Sequence, residues 1–401
     1  MEIVSRFFDI PPQSFFLFGP RGTGKSTWLR DQLPESLFLD LLEPELYRSL
    51  QARPERLHDL RRGAPDRTTI VIDEIQRIPE LLTVVHAILE QPDAPRFVLT
   101  GSSARKLRRG GVDLLGGRAL YRSLHPFMAS ELPSFDLEQS LCTGLLPLVL
   151  DSADAAGVLN AYINLYVDEE VKSEGLTRNI GHFTRFLEAV SFSHGSQLNV
   201  AAVARDCEVE RKVVAAYIEI LEDLLLAYRL PVFRKRAKRQ TVSHDKLYIF
   251  DAGVLRSLRP KGPLDRPEEI NGLALEGLVA QHLRAWTAYS RNDSALYFWR
   301  TRAGSEVDFI IYGEGGFWAI ETKNARQIHR KDLRALRTFR DDYPEAVAIM
   351  LYRGHERLQI DGLWCIPVGE FLVDLKPNEP VFPGKQGQIN LTPSSCQTHT
   401  L

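Results

Sequence analysis

The chain has 401 residues, which at roughly 150 residues per domain suggests two to four domains. Apolar residues make up 44% and charged residues 25%, a composition that excludes wholesale disorder, collagen and coiled coil. Lys and Arg total 50 against 52 for Asp and Glu, so the formal charge of −2 excludes a globally basic nucleic-acid coat protein but leaves room for a local basic patch.

Taken in chain order, short apolar runs at 15–18, 37–41, 70–72 and 97–100 predict buried strands. Helix-period residues lie between them, as at Leu81, Val84, Val85, Ile88 and Leu89. Strands alternating with helices imply a parallel α/β sheet. The stretch 134–178 reads as mostly helical, and three more helices are expected near 182–192, 198–205 and 211–228. The basic segment RLPVFRKRAKRQ precedes a strand at 246–250. The last folded region returns to α/β, with a helix at 273–286 and strands at 296–301, 306–312 and 317–322. The GEGG at 313–316 predicts a hairpin turn. A further helix and a strand at 346–352 come next, and after Leu375 the composition predicts a flexible tail. The expected division is 1–133, 134–180 as a helical lid or linker, 181–245, 246–375, and a tail at 376–401.

The four cysteines, Cys142, Cys207, Cys365 and Cys396, are widely spaced and form no CxxC pair, the pattern of free thiols in a reducing compartment. The start of the chain has no apolar signal core, and no run of about eighteen apolar residues occurs, so a cytoplasmic protein with no membrane partner is expected. The histidines show no HExxH spacing, which argues against zinc.

The strongest chemical signal is Gly19-Pro20-Arg21-Gly22-Thr23-Gly24-Lys25-Ser26, continued by Thr27, a full GxxxxGK[ST] match between an apolar run and a helical stretch. Glycines let successive N–H groups turn toward phosphate oxygens, and the adjoining helix N-terminus adds positive partial charge. Lys25 is expected to reach the β and γ phosphates of ATP, and Ser26 to ligate Mg²⁺. The strand TTIVIDE at 68–74 supplies Asp73 for Mg²⁺ and Glu74 to polarise the attacking water. A third strand ends in Thr100-Gly-Ser-Ser103, where Thr100 is placed either to sense the γ phosphate or simply to cap a helix starting near Ala104. Arg105, Arg108, Arg109 and Arg118 are arginine-finger candidates, acting in cis or from a neighbouring subunit of a homo-oligomer. Arg118 is the best placed, because Gly116 and Gly117 put it on a turn. No NKxD motif is present, so ATP is expected over GTP.

Two further constellations point to nucleic acid. The stretch 198–226 reads as a helix-turn-helix core with Val200, Val203, Val209, Val213, Val214 and Ile218 on one face. Arg211 and Lys212 begin its second helix, but Glu208, Glu210, Glu219, Glu222 and Asp223 argue against deep insertion into a major groove. Arg229, Arg234, Lys235, Arg236, Lys238 and Arg239 come next without an acidic residue, as a phosphate clamp or a solvated loop. Farther on, Asp308, Glu321 and Lys323 lie on a predicted hairpin, with Glu276 on the preceding helix. Residues 321 and 323 share a strand face. Asp308 and Glu321 could hold Mg²⁺, with Glu276 as a third carboxylate and Lys323 handling the water or neutralising charge. Arg326, Arg330, Arg334 and Arg337, with Lys331, recur at helical spacing beside them.

LFGPRGTGKST, VIDEIQRIPELL, LTGSSARKL and LLGGRAL together resemble a widespread prokaryotic family of AAA-type ATPases. Those proteins carry a C-terminal domain of unknown function that is viewed as restriction-endonuclease-like. The resemblance runs from about Phe15 to Leu375 and implies an α/β fold class: an AAA-type P-loop NTPase core with a parallel sheet, a winged-helix middle and a nuclease-like α/β end. KLYIFDAG at Lys246 to Gly253 matches a strand of the winged helix in that family, and Asp308…Glu321-x-Lys323 resembles the nuclease signature. The implied activity is Mg²⁺-dependent ATP hydrolysis coupled to DNA or other nucleic acid, with or without phosphodiester cleavage. The alternative is an ATP-driven switch or scaffold with an inactive nuclease-like domain.

Overall fold

The computed structural model describes residues 4–102, 115–167, 180–260, 262–263 and 266–382. Ser103, Arg105, Arg108, Arg109, Cys396 and the tail from 383 lie outside the described residues.

The first layer is a sheet of β1 (Phe15–Phe18), β2 (Leu37–Asp40), β3 (Thr69–Asp73), β4 (Arg96–Gly101) and β5 (Leu120–Ser123). Its order is β2-β3-β4-β1-β5 and every pairing is parallel. The continuous apolar runs FFLF and IVI are what a strand buried on both faces requires. Alternation splits them: Phe16, Phe18, Ile70 and Ile72 face one side with Leu81, Val85 and Ile88, whereas Phe15, Leu17, Val71 and Val98 face the other with Trp28. Because all five strands run the same way, their C-terminal ends make one edge. Phe18 opens there into the glycine-rich loop, Asp73 ends β3, and Thr100 lies between them because β4 is inserted between β1 and β3.

Short helices follow at Leu137–Thr143, Pro147–Leu150 and Ala155–Ala161. Helices Ile180–Ser191, Val200–Asp206 and Arg211–Asp223 pack with an antiparallel sheet of β6 (Ser196–Gln197), β7 (Ala227–Leu230) and β8 (Lys246–Ile249), ordered β6-β8-β7. Val203, Val214 and Ile218 meet Phe183, Phe186 and Tyr217 in their shared core. The last of these helices stops at Asp223, short of the expected 228, and Leu225 turns the chain at φ 60° into β7.

The C-terminal sheet holds β9 (Ser294–Arg300), β10 (Glu306–Gly313), β11 (Gly316–Lys323), β12 (Val347–Tyr352), β13 (Leu358–Ile360) and β14 (Leu363–Pro367), in the order β13-β14-β12-β11-β10-β9. The expected hairpin is present, with Gly313 opposite Gly316. The long helix Pro267–Tyr289 covers one face through Leu275, Leu278, Val279 and Trp286.

Two sequence expectations change here. The basic segment is docked at both ends rather than solvated throughout, while Arg234 to Arg239 stay exposed between them. Val232 bridges Phe298, the Phe233 amide donates to the Phe298 carbonyl at 2.7 Å, and Thr241 bridges Thr301. Phe233, 1% exposed, sits among Tyr297, Tyr312, Phe317 and Tyr343. An edge strand's unpaired backbone groups and one large aromatic side chain suffice to pull the segment onto β9. The arginine stripe is also broken. Its helix begins only at Arg334, and the Asp332 carboxylate accepts the His329 amide at 2.9 Å in a turn before it. Arg326, Arg330 and Lys331 therefore precede the helix, and Arg337 is paired with Asp361.

Candidate nucleotide site and a carboxylate cluster

The loop from Gly19 to Gly24 is curled by left-handed backbone at Gly22 (φ 81°) and Gly24 (φ 82°), which glycine adopts without a Cβ penalty. A Cβ on Gly19 would fall 2.4 Å from the Leu124 carbonyl oxygen, so no side chain fits there. Thr23 is buried and its hydroxyl donates to the Pro20 carbonyl at 2.8 Å. The Lys25 ammonium, also buried, donates to the carbonyls of Gly19 at 2.7 Å and Pro20 at 3.2 Å. Helix Lys25–Gln32 starts without a side-chain cap, which leaves its first N–H groups facing the loop's cradle. Arg21 and Thr27 are exposed and Ser26 is half-buried.

Asp73 is fully buried at the end of β3. One carboxylate oxygen accepts from the Thr100 hydroxyl; the other, Oδ2, has no hydrogen-bond partner among the described residues. Leaving such an oxygen unpaired costs about 1–3 kcal/mol, and a divalent cation would satisfy it. The Thr100 hydroxyl also accepts the Glu74 amide at 3.0 Å, so one O–H group uses its proton and a lone pair to tie Asp73 and Glu74 to β4. Glu74 itself is left-handed (φ 61°, ψ 44°), and its carboxylate accepts from the Gln76 amide. Residues 19–27, Asp73, Glu74 and Thr100 thus meet at one edge of the sheet.

Arg118 does not join them. Leu120 pairs with Phe15 at the start of β1, so Arg118 lies at the opposite edge, where its guanidinium pairs with Glu90. In its own chain the register keeps it from the glycine-rich loop. Other residues do touch that loop: Tyr162 donates to the Arg21 carbonyl at 3.1 Å, and the Leu148 amide donates to Gly22 at 3.3 Å. Arg6 reaches the Thr23 carbonyl at 3.4 Å while pairing with buried Glu131, and it also contacts Tyr289 of the long helix. No motif marks these residues, because each acts through a contact distant in sequence.

The second constellation forms where the long helix meets β10 and β11. A bulge in β10 puts Val307 and Ile310 on the same face. This turns Asp308 toward Thr322, whose amide and hydroxyl donate to Asp308 Oδ2 at 2.9 and 2.8 Å. The Asp308 amide donates to Glu321 at 3.2 Å. Glu276, Asp308 and Glu321 are therefore brought together. Lys323 is not: it sits at the exposed end of β11 and pairs with Asp332 at 3.0 Å.

The cation at the centre is instead Lys246, from β8. Its ammonium, 1% exposed, lies 3.1 Å from Glu276 and 3.4 Å from Asp308 and also pairs with Glu306. The Tyr248 hydroxyl donates to Glu276 at 2.6 Å. Burial opposes the Lys246 charge, yet Tyr248, Glu276, Asp308 and Glu306 hold its pKa well above the usual value. Burial, with help from the Asp308 charge, pushes Glu276 up to about 7 and Glu321 well above the carboxylate range. The expected Mg²⁺ ligands Asp308 and Glu321 do not fit a metal ion as arranged. The Lys246 ammonium lies against Asp308, and among the described residues no group of three or more His, Cys, Asp or Glu side chains is set to hold a metal ion. Lys246→Met is expected to destabilise the fold by about 3–5 kcal/mol in urea denaturation, because it strands buried carboxylates, and Glu276→Gln in the same chain should restore part of that loss.

Three regions of the chain match known domain families. Residues 12–133 match the AAA domain family. Residues 134–265 and 271–371 match two domains of unknown function, DUF8612 and DUF4143. Two uncharacterized proteins, Rv2008c of Mycobacterium tuberculosis and Mb2031c of Mycobacterium bovis, are each 27% identical over 312 residues, covering 76% of this chain and 69% of theirs. Among solved structures, protein VC1899 from Vibrio cholerae matches at 13% identity and TM-score 0.20, over 90% of this chain and 96% of that one. A type III CRISPR defence DNA nuclease activated by cyclic oligoadenylate matches at 12% identity and TM-score 0.18, over 95% and 52%. No helix among the described residues is long and apolar enough to cross a membrane. Residues 12–133, which match the AAA domain family, carry the parallel sheet, and the two regions that follow match families with no assigned function.

Proposed function

We propose that the chain is a Mg²⁺-dependent ATPase of AAA type that acts as a nucleotide-driven switch on its C-terminal region. The observation that carries this reading is the unpaired Oδ2 of buried Asp73, set at the same sheet edge as the Lys25 cradle. The loop N–H groups bind phosphate oxygens, Lys25 neutralises the β and γ phosphates, and Glu74 takes a proton from the attacking water. Ser26 and Asp73 would hold Mg²⁺, which supplies charge neutralisation on the phosphate oxygens. Thr100 fixes Asp73 and Glu74 relative to each other.

The C-terminal cluster favours the switch over the nuclease. Lys246 from the small sheet is paired with Glu276, Glu306 and Asp308, so no cleavage step is proposed there. The order helix, strand, helix, helix, strand, strand in the middle region supports a winged-helix reading. Nucleic acid is the proposed partner, through phosphate contacts rather than base reading. Arg236 and Lys238 are exposed and carry no hydrogen bond or ion pair among the described residues, and Arg302 stands beside them through Gln240. Phosphate release measured with and without DNA, at two salt concentrations, tests the whole reading. Mg²⁺-dependent release is expected, stimulated by DNA, with the stimulation falling as salt rises. Salt-independent stimulation would remove the phosphate contacts from the account, and no release at all would remove the ATPase.

A further inference from the structure

Gln76 stands two residues beyond Glu74 in a short turn, Ile75–Arg77, that is pinned to the core by fully buried Ile75. A glutamine at 6% exposure is unusual unless its amide is used. Its Nε2 donates to two acceptors: the Glu74 carboxylate, and the Ser102 hydroxyl at 3.1 Å just beyond β4. The first acceptor fixes the orientation of the amide, since an ionised carboxylate offers no proton. Its Oε1 has no partner among the described residues and lies 2.7 Å from where a Cβ on Gly101 would be. Any residue but glycine at 101 would displace it. The glycine at the end of β4 is therefore the space into which this amide is fitted.

Glu74 is thus gripped at both ends from the same strand. Thr100 holds its amide, and Gln76, itself tied to Ser102, holds its carboxylate. We infer that Gln76 is the positioning residue for Glu74, fixing the carboxylate that accepts the water's proton and coupling its placement to the end of β4 through Ser102. The inference rests on the assignment of Glu74 as the base. Gln76 touches neither nucleotide nor water in this role; it acts through Glu74.

The test uses the full chain and steady-state ATP hydrolysis. Gln76→Ala should lower kcat by about ten- to a hundredfold, the scale of a misplaced catalytic group, with KM for ATP within about twofold of the parent. Gln76→Glu keeps the volume but replaces the donor with a second carboxylate against Glu74. It should lower kcat with KM for ATP nearly unchanged, since the donor that holds the Glu74 carboxylate is lost while the nucleotide contacts are kept. A role in packing alone would raise KM as well. Ser102→Ala should act in the same direction as Gln76→Ala, and more weakly. The inference is overturned if both Gln76 variants turn over ATP at the parental rate, or if their loss appears in KM rather than in kcat. Glu74→Gln is run alongside. If it hydrolyses ATP normally, the base assignment itself fails; if it is inactive while both Gln76 variants are normal, only the role of Gln76 fails.

Discussion

Lys25→Ala is expected to remove ATP turnover, with a loss of at least about a hundredfold, and to weaken nucleotide binding. The expectation comes from where the ammonium sits. It is buried, and it donates to the neutral main-chain carbonyls of Gly19 and Pro20, which the charged oxygens of a triphosphate can replace. Truncation removes that charge from the cradle and takes one donor from the Gly19 carbonyl, while the Pro20 carbonyl keeps the Thr23 hydroxyl. The loop curvature set by Gly22 and Gly24 is independent of Lys25, so the domain should stay folded and circular dichroism should be unchanged. Phosphate release and binding of a fluorescent ATP analogue measure the two effects separately. Retention of both at the parental level would show that the loop is not the nucleotide site.

Glu74→Gln should do something different: keep ATP bound and slow its hydrolysis by about a hundred- to ten-thousandfold. Glutamine has nearly the same shape, tolerates the backbone at φ 61° about as well, and leaves Asp73 and Thr100 in place. What it loses is the ability to accept a proton. Filter binding with labelled ATP should find nucleotide retained on the variant long after the parent has converted it. Asp73→Asn separates the two acids, since its unpaired oxygen is the proposed cation ligand and the loss there should depend on Mg²⁺ concentration. Hydrolysis by Glu74→Gln at the parental rate would remove Glu74 as the base.

How far the sequence foretold these sites depends on how local each signal is. The glycine-rich loop and the IVIDE strand are contiguous, and their chemistry is carried by spacing and burial that a single strand or turn already encodes. Thr100 was legible as a small polar residue at a strand end, but only the insertion of β4 between β1 and β3 gives it two partners. Glu276, Asp308 and Glu321 were legible as a group, yet the expected cation was the wrong lysine. Strand alternation does put Lys323 on the face of Glu321, but the exposed strand end lets it swing to Asp332, and Lys246 arrives from another sheet. Arg118 was placed on a turn by Gly116 and Gly117, as expected; the parallel register then carries that turn to the far edge. Arg6, Gln76 and Phe233 gave no signal because each is defined by a partner that local periodicity does not contain.

The central claim is that Lys25, Asp73, Glu74 and Thr100 form one hydrolytic site. The most direct measurement is Mg²⁺-dependent phosphate release from ATP by the purified chain, beside its Lys25→Ala and Glu74→Gln variants. Turnover is expected from the parent, none from Lys25→Ala, and retained but uncleaved ATP on Glu74→Gln. Equal release by all three would contradict the claim.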